Sequence, residues 1–97
     1  MTTTAERRLV VIDPSGLHAR PAARFVQAAS RFGSRIVIRH GDREADAKSL
    51  ISLLGLTLRP EAEITLVAEG TDASAAIAAL AEELAPYVRP AAPKSVV

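Results

Sequence analysis

The stretch GLHARPAARFV, residues 16–26, holds the side chains of this chain that are best suited to chemistry. His18 lies where a turn gives way to a helical pattern, and a helix start favours a phosphate because its N–H groups lack intrahelical acceptors. Histidine has an unperturbed pKa of about 6.5, so a neutral, nucleophilic imidazole is available near neutral pH. Arg20 adds a planar set of donors that fits phosphate oxygens. These residues indicate a site where His18 accepts and releases a phosphoryl group.

The residues around His18 strengthen this interpretation. Gly16 can adopt backbone conformations that are closed to other residues, and it allows a close approach by a partner. Pro21 lacks an N–H that the first helical turn would leave unpaired in any case, so it stiffens the helix start without the loss of a hydrogen bond. Arg24 lies one turn beyond Arg20. We interpret Arg24 as a partner-facing residue, for which a solvated helix position is an equally good reading, and not as a catalytic one.

A second motif, AKSL at residues 47–50, completes a family pattern. The two motifs resemble the active-site signature and the regulatory serine segment of HPr, the histidine-containing phosphocarrier of the bacterial phosphoenolpyruvate-dependent sugar phosphotransferase system. The resemblance runs from about Arg7 to Val88. It implies that His18 is the phosphoryl acceptor through its Nδ1 atom and that Arg20 positions the phosphate. It also implies enzyme I as the donor and an enzyme IIA domain as the acceptor.

Ser49 has two compatible interpretations. It precedes a run of apolar residues, and serine is a favoured N-cap, so it is expected to begin a short helix. The resemblance implies that an HPr kinase/phosphorylase can also phosphorylate it. A phosphate at this position would add about 1.5–2 negative charges to the docking surface and repel an acidic donor without unfolding the domain.

The resemblance further implies an apolar docking patch beside the histidine, with a charged rim. An interface of this kind has an apolar centre and polar edges that fix orientation. Leu54 is equally suited to the core. The expected partner contacts are Ala19, Ala23, Arg24, Leu50, Ile51 and Leu54.

The segment after the second helix departs from the family pattern. By ungapped counting from Ser49, Thr57 occupies the position of a common glycine, whereas Gly55 lies two residues earlier. Arg59-Pro60-Glu61 replaces a more usual glycine-bearing turn. The end of this helix and the following loop are therefore expected to differ from the family, whereas the His18 motif is unaffected.

Hydrophobic spacing predicts the element order β-α-β-β-α-β-α. Short apolar or alternating runs at 9–12, 35–39, 43–46 and 63–68 predict strands. Helical spacing predicts helices at about 19–32, after Ser49, and from Thr71 or Asp72 to about residue 84. This order predicts an α+β, open-faced two-layer sandwich, in which three helices cover one face of a four-stranded antiparallel sheet. The resemblance implies the same fold.

The composition predicts one small domain over residues 1–97, with an ordered core at about 7–88 and a loose tail at 90–97. The chain has no cysteine, which fits a reducing cytoplasm. Its N-terminus lacks an apolar signal region, and no apolar run approaches the ~18 residues of a membrane span. We therefore expect a cytoplasmic protein without membrane insertion. We also expect the phosphocarrier that the resemblance implies to be a monomer.

The charge of the chain and the residues around His18 limit the classes of function that the chain can have. A formal net charge of +1 and few aromatic residues argue against nucleic-acid binding. Residues 7–39 hold most of the arginines and one acid, Asp13, which indicates either a basic face for an acidic partner or an ordinary solvated surface. No phosphate-binding glycine loop or carboxylate cluster lies near His18. We expect neither metal nor cofactor, and we expect partner enzymes to supply the chemistry, so that the chain is a carrier and not an enzyme.

One alternative function stays open at this point. The chain could be a regulatory binding module, similar to the nitrogen-related HPr paralogues, whose phosphorylation state controls partner proteins instead of sugar uptake. The other histidine, His40, lies at an expected turn beside Gly41, and we assign it no function.

Overall fold

The computed structural model describes residues 3–91, an antiparallel sheet with three α-helices packed on it. A 3-10 turn joins the last helix to the last strand. The strands lie in the order β3-β2-β4-β1-β5. The predicted α+β fold is confirmed. The elements are β1 (Thr3–Val11), α1 (Ala19–Ala29), β2 (Arg35–His40), β3 (Arg43–Asp46), α2 (Leu50–Leu54), β4 (Glu63–Gly70), α3 (Ala73–Leu84) and β5 (Val88–Pro90).

The sheet has one strand more than the sequence predicted. β5 pairs with β1 from Val11↔Val88 to Leu9↔Pro90, and the Ala91 N–H donates to the Arg8 carbonyl at 3.1 Å. A strand of three residues is too short for a recognisable alternation, and proline is tolerated on an edge strand. Pro90 of the expected loose tail thus lies in the sheet, and residues 92–97 of that tail lie outside the described residues.

The core is aliphatic and follows the predicted periodicities. Ala22, Phe25 and Ala29 lie on one face of α1 and are fully buried against the sheet and α3. From the sheet, alternate residues such as Ile36 and Ile38 point into the same cluster. Burial of this apolar stripe fixes how α1 lies on the sheet, and it thereby fixes the position of the helix start.

Hydrogen bonds to Asp72 join the turn after α1 to the start of α3. Asp72 occupies the N-cap position of α3, but its carboxylate makes no cap hydrogen bond. Instead Oδ2 accepts from the Gly33 N–H at 2.9 Å, while Oδ1 accepts from the Ser34 hydroxyl and from the Ser34 N–H at 3.0 Å. These donors, the Ser34 hydroxyl above all, lower the pKa of Asp72. The carboxylate of this N-cap residue therefore serves a tertiary contact instead of capping its own helix.

Two residues between α2 and β4 have left-handed backbone conformations although neither is glycine. Thr57 has a φ of 51° and Glu61 a φ of 72°. They lie at the two places where the sequence departs from the glycine pattern of the family. The left-handed region costs a residue with a Cβ about 1–2 kcal/mol, and β-branched residues such as threonine are rare in it. The loop therefore carries local strain.

Thr57→Gly is expected to raise the free energy of unfolding by about 0.5–1 kcal/mol. Relief of the left-handed strain exceeds the entropy that glycine adds to the unfolded chain, about 0.4–1 kcal/mol. Thr57 is exposed, so loss of its side chain uncovers little apolar surface. Urea denaturation measures the change. Thr71→Gly is the control, since Thr71 is also exposed and has no left-handed φ. Thr71→Gly should destabilise, and a Thr57→Gly variant that behaves in the same way would contradict the strain.

Candidate phosphoryl-acceptor site

His18 is the N-cap residue of α1, and its side chain is exposed. Its backbone is extended, with φ −88° and ψ −173°, and its carbonyl accepts the Ala22 N–H at 3.1 Å. The imidazole makes no cap hydrogen bond to the helix that it precedes. The structure thus presents an imidazole to the solvent at the helix start.

The first turn of α1 offers hydrogen-bond donors next to this imidazole. Within residues 3–91, the N–H groups of Ala19 and Arg20 have no acceptor, and Pro21 has no N–H to satisfy. The first turn contains no acidic residue. A helix N-terminus carries about half a positive charge, so this position favours an anion bound to the histidine.

Arg20 and Arg24 are exposed on α1, and neither has a carboxylate within ion-pair distance in the described part of the chain. Four arginines of the sheet differ in this respect. Their guanidinium groups lie 3.0–3.8 Å from glutamate oxygens, so their charges are locally balanced. Positive charge is therefore uncompensated on α1, beside His18. The paired sheet arginines are Arg8, Arg35, Arg39 and Arg89.

The segment that precedes His18 is fixed in position by the conformation of Gly16 and by a hydrogen bond to the loop after α2. Gly16 has a φ of 67°, and its N–H donates to the Asp13 carbonyl at 2.8 Å. The next residue, Leu17, donates its N–H to the Leu58 carbonyl at 3.0 Å. A Cβ on Gly16 would collide with that same carbonyl oxygen. Glycine is therefore required both by the backbone conformation and by the close approach of Leu58.

Sequence reasoning missed Leu58, and the sequence contains no signal that could have revealed it. The contact uses a backbone carbonyl, which every residue possesses, and it joins segments that are distant along the chain. Ile12 was also missed as a surface residue. The strand predicted at residues 9–12 includes it, whereas it follows β1 and is 43% exposed.

Helix α2 begins at the second motif. Ser49 is its N-cap residue, and its Oγ accepts the Ser52 N–H at 3.3 Å. At the other end, the Arg43 guanidinium donates to the Gly55 carbonyl at 2.7 Å. Both ends of a helix of five residues are thus held by side chains, which matters because so short a helix is not stable alone.

The apolar residues of α2 divide between core and surface. Leu53 is buried and Leu50 is half-buried, whereas Ile51 is 86% and Leu54 38% exposed. Leu54, which the sequence left undecided, therefore has much of its surface accessible. Of the predicted contacts on α1, Ala19 is exposed and Ala23 half-buried. Because α1 and α2 pack against each other, both helices can contribute to one surface.

His40 has a structural contact. Its Nδ1 lies 3.0 Å from the Glu63 carbonyl, a distance at which an Nδ1–H donates a hydrogen bond. Within residues 3–91, no cluster of three or more histidine, cysteine or acidic side chains is arranged to hold a metal ion. In the same range, no helix has the length and apolar character that crossing a membrane requires.

The fold and the site define a small α+β protein with an exposed histidine at a helix N-terminus. A family model described as "PTS HPr component phosphorylation site" matches residues 5–85. The chain belongs to the HPr family of phosphocarriers of the phosphotransferase system.

Related proteins occur both as single domains and within longer chains. The chain is 51% identical to the multiphosphoryl transfer protein of Xanthomonas campestris pv. campestris over 76% of its length, but it spans 9% of that protein. It is 49% identical over 70% of its length to DhaM, the phosphoryl donor subunit of the PEP-dependent dihydroxyacetone kinase of Providencia stuartii, and spans 14% of it. It is 41% identical to the phosphocarrier protein HPr of Lysinibacillus sphaericus, with 77% of this chain and 85% of the relative covered.

Solved structures confirm the fold. The histidine-containing phosphocarrier protein of a mycoplasma superposes with a TM-score of 0.83 at 33% identity, covering 84% of this chain and 93% of that one. HPr from Bacillus anthracis superposes with a TM-score of 0.77 at 38% identity, covering 84% and 96%.

Proposed function

We propose that this chain accepts a phosphoryl group on Nδ1 of His18 from phospho-enzyme I and passes it to an enzyme IIA domain. The observation that carries the proposal is the exposed His18 side chain at the N-cap of α1, beside the N–H groups of Ala19 and Arg20, which have no acceptor within residues 3–91. Membership of the HPr family supports a phosphocarrier, and the identity of donor and acceptor is the part that experiment must establish.

In the transfer step, the lone pair of Nδ1 attacks phosphorus while the bond from phosphorus to the donor's leaving atom breaks. The negative charge is spread over the three oxygens that move with the phosphorus. The N–H groups of the first turn and the Arg20 guanidinium can donate to these oxygens, and Arg20 has no carboxylate in residues 3–91 to detach from first. Onward transfer reverses the step with the acceptor as nucleophile.

The site holds the phosphoryl group weakly, which suits a carrier. A helix N-terminus contributes about 0.3–1 kcal/mol to an exposed anion. A much stronger stabilisation would slow the onward transfer, because the phosphorylated carrier would lie in a deeper energy minimum. His18 is exposed, so both donor and acceptor can reach it from the solvent.

The test is incubation with phosphoenolpyruvate and a catalytic amount of enzyme I, followed by intact-mass measurement. We expect a gain of one phosphoryl group that is lost in acid, because protonation of the phosphorylated imidazole makes it a good leaving group. An enzyme IIA domain added next should remove it. A mass that stays unchanged, or an acid-stable phosphate, would contradict the proposal.

Ser49→Asp is expected to fold normally but to raise the KM for enzyme I by about 5–10-fold, since a like charge inside an electrostatically complementary interface weakens association. Aspartate is as good an N-cap as serine, so α2 should persist. Ser49→Asn is the matched control, being an equally good cap without the charge. Steady-state phosphorylation rates measure both variants. Equal KM values for the two would contradict a docking surface around Ser49.

A further inference from the structure

We infer that Arg59, in the loop after α2, is a recognition residue that contacts an acidic surface of the phosphodonor. The inference rests on the proposed function, since it concerns the protein that delivers the phosphoryl group to His18. It adds a residue that belongs to neither of the two sequence motifs.

Arg59 lies against the loop that carries His18. A Cβ built on Gly16 would lie 3.2 Å from the Cα of Arg59. Gly16 precedes His18 by two residues, and consecutive Cα atoms are about 3.8 Å apart, so the Cα atoms of Arg59 and His18 are separated by at most roughly 12 Å. A protein surface that reaches the His18 imidazole is thus within range of the long Arg59 side chain.

The backbone on both sides of Arg59 is fixed. Before it, the Leu58 carbonyl accepts the Leu17 N–H at 3.0 Å. After it, the Ala62 N–H donates to the Arg59 carbonyl at 3.0 Å, which closes a four-residue turn with Pro60 in its second position. The third position, Glu61, has the positive φ of a type II turn. A guanidinium on a fixed backbone loses less entropy when it binds than one on a mobile loop.

The conformation of this loop includes strained backbone at two residues. Left-handed non-glycine residues occur two positions on either side of Arg59, at Thr57 and Glu61. Such strained residues persist where the surrounding structure over-determines them, and they cluster at functional sites. The strain therefore supports a role for the segment that these two residues enclose.

The charge of Arg59 is available for a partner. Arg59 is exposed, and no carboxylate lies within ion-pair distance of it in residues 3–91. Arg20 and Arg24 share this property on α1. Because Arg59 comes from a different segment, these unpaired cations are not confined to one helix. An acidic surface of the phosphodonor that docks over His18 could therefore meet positive charge from both α1 and the loop. Complementary charge of this kind mainly raises the rate of association.

Arg59→Gln and Arg59→Glu are the variants that test this inference, in steady-state phosphorylation by enzyme I. At low ionic strength we expect the KM to rise about 3-fold for Arg59→Gln and about 10-fold for Arg59→Glu, with kcat unchanged. At 1 M salt the Debye length falls to about 3 Å, so most of the difference should disappear. Arg59→Lys keeps the charge and should restore most of the KM. A purely structural role would not produce this dependence on salt and charge.

Arg7→Gln is the matched control for the loss of one positive charge. Arg7 is exposed and has no ion pair in the described range, but it lies on β1 opposite Leu66, four residues before the strand ends at Val11. Its KM should stay at the wild-type value. Three outcomes would overturn the role of Arg59 and leave the proposed function intact. They are a wild-type KM for Arg59→Glu, an equal rise in KM for Arg7→Gln, and a rise in KM that salt does not reduce. A wild-type chain that accepts no phosphoryl group would overturn the proposed function and this role with it.

Discussion

His18→Ala is expected to accept no phosphoryl group from phospho-enzyme I. The substitution removes the nitrogen that would form the bond to phosphorus, and the motif at residues 16–26 contains no second histidine. His40, the second histidine, is occupied by a hydrogen bond between its Nδ1 and the Glu63 carbonyl. His40→Ala is therefore the matched control, and it should be phosphorylated at the wild-type level. Intact-mass measurement after incubation with phosphoenolpyruvate and enzyme I reports both results.

The fold should survive the His18 substitution. His18 is exposed and makes no side-chain cap hydrogen bond, so we expect the free energy of unfolding to change by no more than about 0.5 kcal/mol. A loss of phosphorylation in a normally folded variant then reflects chemistry. Full phosphorylation of His18→Ala, or its loss in His40→Ala, would show that another residue is the acceptor.

Gly16→Ala is expected to lower the free energy of unfolding by about 3 kcal/mol, through left-handed strain of about 1–2 kcal/mol and displacement of the Leu58 carbonyl with its hydrogen bond to Leu17. Displacement of this loop also moves the residues next to His18. A shift of about 1 Å near a reacting group can slow a reaction by about 100-fold, so phosphoryl acceptance should fall as well.

Gly41→Ala separates the two contributions to the loss of stability that we expect in Gly16→Ala, namely left-handed strain and displacement of the Leu58 carbonyl. Gly41 has a φ of 63°, close to that of Gly16, but a Cβ there would meet no atom within 4 Å. It should therefore show the conformational penalty alone, about 1 kcal/mol after the gain in unfolded-state entropy is subtracted. Urea denaturation of both variants gives the comparison. Equal losses in the two would exclude the Leu58 contact as the cause of the greater sensitivity at Gly16.

The sequence by itself determined the parts of this protein that depend on local rules. The apolar spacing of residues 19–32 predicted α1, and the order of strands and helices predicted the α+β sandwich. Serine chemistry placed the N-cap of α2 at Ser49, and the GLHARPA motif placed His18 at the start of α1. These features could be predicted because helix periodicity and capping involve residues that are close along the chain.

The tertiary structure alone decided how distant segments meet. Nothing in the local pattern shows that Leu58 would hold the His18 loop, that the Asp72 carboxylate would bind the turn at Ser34 instead of capping α3, or that β5 would pair with β1. Backbone carbonyls and N–H groups are the same in every residue, so their long-range partners leave no mark in the sequence. The position of Arg59 beside Gly16 is decided in the same way, by the packing of one loop against another.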